Sequence, residues 1–326
     1  MRYAFLLIGG LEVLALAEVK YLFSTPEIVD GRIAVVEVCE PLFYRLALTK
    51  EVIELLEVCD YSELEDAFAE IPIPSQPLCV RVKRFRRTKT STQELERKLG
   101  EILWRRGAKI SVSSPKSVVK VYIADKAYVG LLRHVTDTKQ FEERHPNKRP
   151  FFKPGVMLPR ISRALVNIAV KDGLFLDPMC GTGGLLIEAG LMGLDYVGVD
   201  AFSNVVEGCA RNLRYYGLHP SVLRGDAKTL PFKDSSVSGI ATDFPYLQSS
   251  KSFGSLEELY CKSIPEFARV LRFGCRAVLV SNIDIEEIVA ESFEVLEVFR
   301  YRVHGSLTRR IYVCSNSKGN SKREKH

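Results

Sequence analysis

Asp177, Asp200, Asp226 and Asp243 each follow a short apolar segment, and the four are spaced about one α/β unit apart. Leu174-Phe175-Leu176 reads as a buried strand that runs directly into Asp177-Pro178-Met179-Cys180-Gly181-Thr182-Gly183-Gly184, and Leu185–Gly190 then opens a helix. Glycines between a strand and a helix let a ligand approach main chain where helix N–H groups lack partners. The spacing is not the G-x-G-x-x-G of dinucleotide enzymes, and no Lys-Ser/Thr follows as in a P-loop. An acid at the strand end points instead to a cationic or hydroxyl-rich ligand without phosphates. A bare glycine turn is more often structural than functional, so the repetition of the acids carries the argument. Asp200, at the end of Tyr196–Val199, is seated to accept ribose hydroxyls, and Asn212 lies on the helix that follows. Ser221–Arg224 ends at Gly225-Asp226-Ala227, and Val237–Ala241 ends at Thr242-Asp243-Phe244-Pro245-Tyr246.

These residues need a framework. From Ile161 onward helix and strand patterns alternate, as in a doubly wound parallel sheet, and this domain is assigned to 161–314. Upstream, Tyr3–Ile8 reads as a strand, Leu11–Leu22 as a helix, Arg32–Val38 as a strand and Leu42–Thr49 as another, with a short acidic helix over Glu63–Glu70. Three prolines in Ile71–Pro77 break any regular element, which closes an N-terminal α+β domain over 1–75. A second compact α/β unit over 76–140 follows: strand Leu78–Phe85, a basic loop, a helix Glu94–Arg106 with N-caps at Thr90-Ser91-Thr92, and strands Val118–Ile123 and Tyr128–Leu132. Residues 141–160 read as a linker within a polar stretch, 133–160, with prolines at 146, 150, 154 and 159. Its basic excess suits either a solvated connection or a phosphate backbone. Residues 315–326 read as a disordered basic tail.

Composition narrows the class. The chain has 326 residues, 46% hydrophobic and 26% charged, which excludes intrinsic disorder and implies more than one domain. Residues 1–75 carry 5 basic and 14 acidic side chains, net −9, whereas 81–120 carry 13 basic and 3 acidic, net +10. Such asymmetry predicts a localised nucleic-acid surface. Within it, Arg81, Lys83, Arg84, Arg86, Arg87 and Lys89 have no acid among them. Strand alternation sets Arg81 and Lys83 on one face, so Arg84, Arg86 and Arg87 at the strand's end are the RNA-binding candidates, set against a solvated sheet edge. Eight Cys without C-x-x-C spacing read mostly as buried thiols of a cytoplasmic protein. Five scattered His give no metal-ligand spacing. The apolar start imitates a secretory leader, but Gly9-Gly10 and Glu12 interrupt it, and no other stretch reaches the roughly 18 apolar residues of a membrane span.

Asp177–Gly184, Asp200, Asp226 and Asp243–Tyr246 resemble the successive motifs of S-adenosylmethionine-dependent methyltransferases acting on exocyclic amines. Arg149-Pro150-Phe151-Phe152-Lys153-Pro154-Gly155, Met157-Leu158-Pro159-Arg160 and the late His304-Gly305-Ser306-Leu307-Thr308-Arg309-Arg310 narrow the resemblance to the archaeal tRNA guanine-10 N2-methyltransferase family. That family couples an RNA-binding THUMP domain to a Rossmann-like catalytic domain. The resemblance is strong over 149–250, moderate over 76–140 and weak over 1–70. It implies a ferredoxin-like region and THUMP before the catalytic domain, tRNA as substrate, and one or two methyl groups added at guanine-10 N2. It also raises a small zinc-binding activator as a partner. Cofactor contacts are implied for Asp177 with the amino group, for Cys180, Gly181, Thr182, Gly183 and Gly184 around the methionine portion, for Asp200 and Ala201 at the ribose, and for Asp226 and Ala227 at the adenine. Asp243, Phe244, Pro245 and Tyr246 are implied as catalytic; separately, the basic excess of 133–160 puts Arg149 in the RNA-binding set.

The chemistry of the last motif stands on its own. A guanine amine is a poor nucleophile, because its lone pair is delocalised into the ring. The Asp243 carboxylate and the Phe244 carbonyl can hold its two hydrogens and turn the lone pair toward an electrophile. Tyr246 can stack on the base for about 1–3 kcal/mol. Phe244 stands where the family usually has proline, which leaves only its carbonyl required. Two rival readings remain at this level: amine transfer to another RNA nucleotide, including adenine N6, and an RNA-binding protein with a vestigial cofactor pocket. For His304 and Arg309, base-pocket and plain hairpin readings are balanced.

Overall fold

The computed structural model describes residues 1–87, 90–246, 256–304 and 307–317, the side chains of Val303 and His304 excepted. The chain divides into two compact units, Met1–Asp137 and Thr138–His326, each with its own seven-stranded sheet.

In the first unit, β1 (Arg2–Leu7), β2 (Ile28–Asp30), β3 (Ile33–Glu37), β4 (Thr49–Cys59), β5 (Leu78–Arg84), β6 (Ser117–Ile123) and β7 (Ala127–Val135) lie in the order β2-β3-β1-β4-β7-β6-β5. Strands from both sides of the proline-rich 71–77 segment therefore share one sheet, joined where β4 pairs antiparallel with β7. Helices α1 (Glu12–Leu22), α2 (Leu64–Glu70) and α3 (Thr92–Arg105) complete the unit, and Ser91 caps α3 by accepting from the Glu94 N–H. Leu95, Leu99 and Leu103 of α3 bury against Val80, Val119 and Val121.

The strand expected over 42–49 is not formed. Phe43–Arg45 is a single 3-10 turn, and the Ala47 and Leu48 N–H groups donate to the buried Glu18 carboxylate at 2.9 and 2.8 Å. Those amides are thereby withdrawn from any ladder. The long strand β4, with Glu51, Glu54 and Glu57, follows instead.

The second unit opens with α4 (Lys139–Glu143), α5 (Pro159–Ala169), β8 (Phe175–Asp177), α6 (Gly184–Leu191), β9 (Tyr196–Asp200), α7 (Ser203–Tyr215) and β10 (Val222–Arg224). It continues with β11 (Val237–Asp243), α8 (Leu256–Val270), β12 (Leu271–Ser281), α9 (Glu286–Ser292), β13 (Glu294–His304) and β14 (Leu307–Ser315). The strand order is β10-β9-β8-β11-β12-β14-β13. Strands β10 to β12 run parallel, and β14 is antiparallel to both neighbours. Ala277–Ser281 of β12 are buried without alternation, as in a sheet covered on both faces. The chain winds from β8 outward through β9 and β10, then returns to lay β11 on β8's other side. Ligands of open α/β sheets bind beyond the carboxyl ends of the strands at such a reversal.

Residues 138–160 belong to this unit and are not a free-standing linker. The Arg144 and Arg163 guanidiniums both bond the fully buried Glu188 carboxylate on α6, with Nε–O distances of 2.8 Å. Both cations also lie against the Phe141 ring. The buried-thiol expectation holds for Cys79, Cys180, Cys209 and Cys314, whereas Cys39 and Cys261 are exposed.

Candidate active site

A cleft of about 780 Å³, its open mouth included, lies past the ends of β8 and β11. Its lining includes the glycine loop, with Asp177, Cys180, Gly181, Thr182 and Gly184, and the segment Asp243, Phe244, Pro245 and Tyr246. Lys153, Gly155 and Met157 contribute from the segment before α5, and Ser162 from α5 itself. The loop's course depends on Gly181 at φ 51° and Gly183 at φ 83°, a region that side chains with a Cβ rarely enter.

Asp177 is 2% exposed and accepts from the Thr242 hydroxyl at 2.9 Å and the Met179 N–H at 3.3 Å. Burial pushes its carboxyl up to about 8, only partly offset by those two donors. A cation arriving beside it would favour its ionised form. Asp200 braces the loop by accepting from the Gly181 N–H at 3.1 Å and from the Phe202 N–H at 3.0 Å. Each carboxylate oxygen has a further lone pair for a ligand hydroxyl. Burial raises this carboxyl too. Asp226 and Ala227 lie after β10, outside the residues lining the cleft; Asp226 accepts from the Lys228 N–H at 2.9 Å. Ala201 is half-buried beside Asp200.

The Asp243 carboxylate is bonded on both oxygens: Oδ1 accepts from the Tyr246 hydroxyl at 2.8 Å, and Oδ2 from Arg309 Nη2 at 3.0 Å. Burial raises Asp243, and the Arg309 charge pulls it back. Phe244 replaces proline's rigidity with packing. Its ring is 1% exposed, lies edge-on to Tyr260 at 4.6 Å, and is tilted on Phe267 at 6.1 Å. Its N–H donates to the Val280 carbonyl at 2.9 Å, a bond proline cannot make.

Arg149 does not face solvent. It is 5% exposed, with Nε directed to the Arg144 carbonyl at 3.4 Å. Its Nη1 lies 3.4 Å from where a Cβ on Gly184 would stand, and Ser162 Oγ lies 3.6 Å from the same point. The Arg149 Nη atoms and Ser162 Oγ are buried without a partner of hydrogen-bond geometry. Basic composition alone had grouped Arg149 with the RNA-binding residues; its packing places it behind the glycine loop. Thr242 and Ser162 carried no sequence signal, because an isolated hydroxyl has no periodic signature.

In the first unit, Arg84, Arg86 and Arg87 line a depression with Val82, Lys83 and Thr92. Arg84 bonds the Thr90 carbonyl at 2.7 Å, and Arg86 lies over the Tyr61 ring and reaches the Asp125 carbonyl at 3.3 Å. The expected tail does not begin at 315: Ser315 ends β14, and Asn316 is buried with its Nδ2 donating to the Leu271 carbonyl at 2.7 Å. The turn at Gly305-Ser306, the His304 side chain and the residues from Lys318 lie outside the described residues. Among the described residues, no three His, Cys, Asp or Glu side chains converge as a metal site, and no helix is long and apolar enough to cross a membrane.

Residues 146–311 match the family model of the RMKL-like methyltransferase domain. The second unit is a methyltransferase fold with its cleft at the usual edge, and the protein is an enzyme of that class. Over 94% of its length the chain is 34% identical to tRNA (guanine(10)-N2)-dimethyltransferase of Pyrococcus abyssi, 97% of which is covered. It is 36% identical to the enzyme of the same name from Methanothermobacter thermautotrophicus, over 82% of this chain and 83% of that one. The chain belongs to the tRNA (guanine(10)-N2)-dimethyltransferase family. TrmN from Thermus thermophilus shares the fold, with a TM-score of 0.51 and 20% identity over 97% of this chain and 99% of that one.

Proposed function

We propose that this protein transfers methyl groups from S-adenosylmethionine to the exocyclic N2 amine of guanine 10 in tRNA, adding two in succession. The observation that carries the reading is that Asp243 and Tyr246 line one cleft together with the glycine loop and Asp177.

The cleft fits the cofactor's amino-acid end on its own chemistry. Asp177 supplies a buried carboxyl for an ammonium, while the Arg149 guanidinium, near the Tyr216 hydroxyl, and Ser162 Oγ place buried donors beside Gly184 for a carboxylate. Asp200, at the end of β9, takes the ribose hydroxyls, and Asp226 with Ala227 borders the adenine. When bound, S-adenosylmethionine supplies a sulfonium methyl, an electrophilic carbon whose bonding pair stays with sulfur on transfer.

Asp243 and the Phe244 carbonyl each accept one hydrogen of the target amine, which turns the nitrogen lone pair toward the cleft. Asp243 then receives the proton that the nitrogen sheds and passes it to water. Tyr246 stacks on the base face. Orientation and fixed electrostatics supply most of the rate. The basic depression of the first unit, at Arg84, Arg86 and Arg87, holds tRNA phosphates in the manner of a THUMP region. A small zinc-binding activator remains a candidate partner by family resemblance alone.

The test is incubation with labelled S-adenosylmethionine and unmodified tRNA transcripts, followed by nucleoside mapping. Label in N2-methylated guanine at position 10, lost in Asp243→Ala with cofactor affinity kept within a few-fold, supports the reading. Label at another nucleotide, or near-native turnover of Asp243→Ala, overturns it.

A further inference from the structure

Arg309 stands behind the cleft wall: it is 2% exposed, bonds Asp243 and Tyr246 of the lining, and comes from β14, far along the chain from the other site residues. Its guanidinium closes a ring of bonds with the two side chains that face the target base. Nη2 donates to Asp243 Oδ2 at 3.0 Å, Nε donates to the Tyr246 hydroxyl at 2.6 Å, and that hydroxyl donates to Asp243 Oδ1 at 2.8 Å. Nη2 also donates to the Gly155 carbonyl at 2.7 Å, which ties the same guanidinium to the segment before α5. We infer that Arg309 is a positioning residue for methyl transfer, holding Asp243 ionised and aimed while keeping Tyr246 in place when Asp243 Oδ1 turns to the amine.

This role for Arg309 rests on Asp243 being the amine acceptor. A planar guanidinium with two bonded edges fixes both the direction of a carboxylate and its charge, which a point charge on a flexible stem does not. Around Asp243, burial and the neighbouring Asp177 carboxyl at the end of β8 disfavour ionisation, the bond from the Tyr246 hydroxyl favours it, Tyr260 on α8 is uncharged, and Lys153 is a second cation lining the cleft. Arg309 is the opposing charge that β14 brings to it, and its own charge is secured in turn by Asp243. The Tyr246 hydroxyl bonds Oδ1 through one of its lone pairs, which leaves the other for the incoming amine. That second lone pair can accept from the amine while the Tyr246 hydroxyl still donates to the same oxygen and Arg309 Nε still donates to that hydroxyl, so the arrangement strands no polar group.

The experiment compares wild type, Arg309→Met, Arg309→Lys and Asp243→Asn, with turnover measured across pH and cofactor affinity by calorimetry. Arg309→Met is expected to lower kcat by about a hundredfold at neutral pH, with cofactor affinity within threefold. The acid limb of its kcat profile moves up by about 1–3 pH units, because a buried carboxylate without its cation holds its proton longer. Arg309→Lys keeps the limb near its wild-type position yet recovers only part of kcat. An unmoved acid limb in both variants, with Asp243→Asn inactive, would overturn the inference while leaving Asp243's role standing. An active Asp243→Asn would instead remove the reading on which the inference rests.

Discussion

Asn212 grips the main chain of Phe151 from both sides: its Oδ1 accepts from the Phe151 N–H and its Nδ2 donates to the Phe151 carbonyl, each at 2.8 Å. The same Nδ2 donates to the Thr182 carbonyl at 2.9 Å, so one buried amide on α7 joins the segment before α5 to the glycine loop. Gly208, one turn earlier, makes room for the Phe151 ring; a Cβ there would stand 2.2 Å from it.

Asn212→Ala is therefore expected to cost stability and cofactor affinity together. Leaving the buried Thr182 carbonyl unpaired alone costs about 1–3 kcal/mol. Thermal denaturation should show a lowered Tm, and calorimetry a weakened S-adenosylmethionine complex. Gly208→Ala should reproduce the affinity loss by displacing Phe151, without removing any hydrogen bond.

Cofactor binding should release a proton. Asp177 stands at about 8 against an ordinary 3.8, so the folded protein holds a proton that the unfolded chain has lost. Its contribution to stability is therefore full below 3.8 and is lost as pH rises toward 8. An ammonium prefers the ionised form, so cofactor affinity should rise with pH up to about 8. Calorimetry in two buffers of different ionisation enthalpy reads the proton directly, and Asp177→Asn should abolish the difference.

Two sets of arginines should separate cleanly. Arg149→Met should weaken cofactor binding about tenfold or more, since charge-assisted bonds contribute about 1.5–3 kcal/mol, and should leave the salt dependence of tRNA binding alone. Substituting Arg84, Arg86 and Arg87 together should do the reverse, each lost phosphate contact lowering the salt slope by about one unit. Equal salt slopes for the triple variant and wild type would remove the first unit's depression as a phosphate site.

A fragment beginning at Thr138 should fold and bind cofactor, because the Arg144–Glu188–Arg163 cluster and the Asn212–Phe151 bonds all lie within it. A fragment beginning at Phe152 lacks Arg144 and Phe151 and leaves Glu188 with one cation fewer. Its Tm should fall well below that of the longer fragment, since stripping a partner from a buried charge costs about 3–5 kcal/mol.

Phe244→Ala should destabilise the second unit by about 3–5 kcal/mol, the usual cost of emptying a buried aromatic site. Phe244→Pro should also lower Tm, because it gives up both the ring contacts with Tyr260 and Phe267 and the bond to the Val280 carbonyl. Denaturant titration of the two variants measures both.

The glycine loop and the four acids were legible in the sequence because they are local: each is an apolar strand followed at once by a turn. Parallel strands joined by helices bring their carboxyl ends to one edge of the sheet, so Asp177 and Asp243 had to share it. Charge composition likewise marked a basic first-unit segment, and the alternation of helix and strand patterns a doubly wound second half. Tertiary structure alone decided which charges face solvent and which face each other. Arg149 and Arg309 read as two more cations, yet one is buried behind Gly184 and the other bonded to Asp243, 66 residues away. Glu18 likewise claims the Ala47 and Leu48 amides about 30 residues on, converting an expected strand into a turn. Local pattern specifies which groups need partners, but long-range packing selects the partners, because a buried charge or N–H must be paired by whatever the fold brings near it.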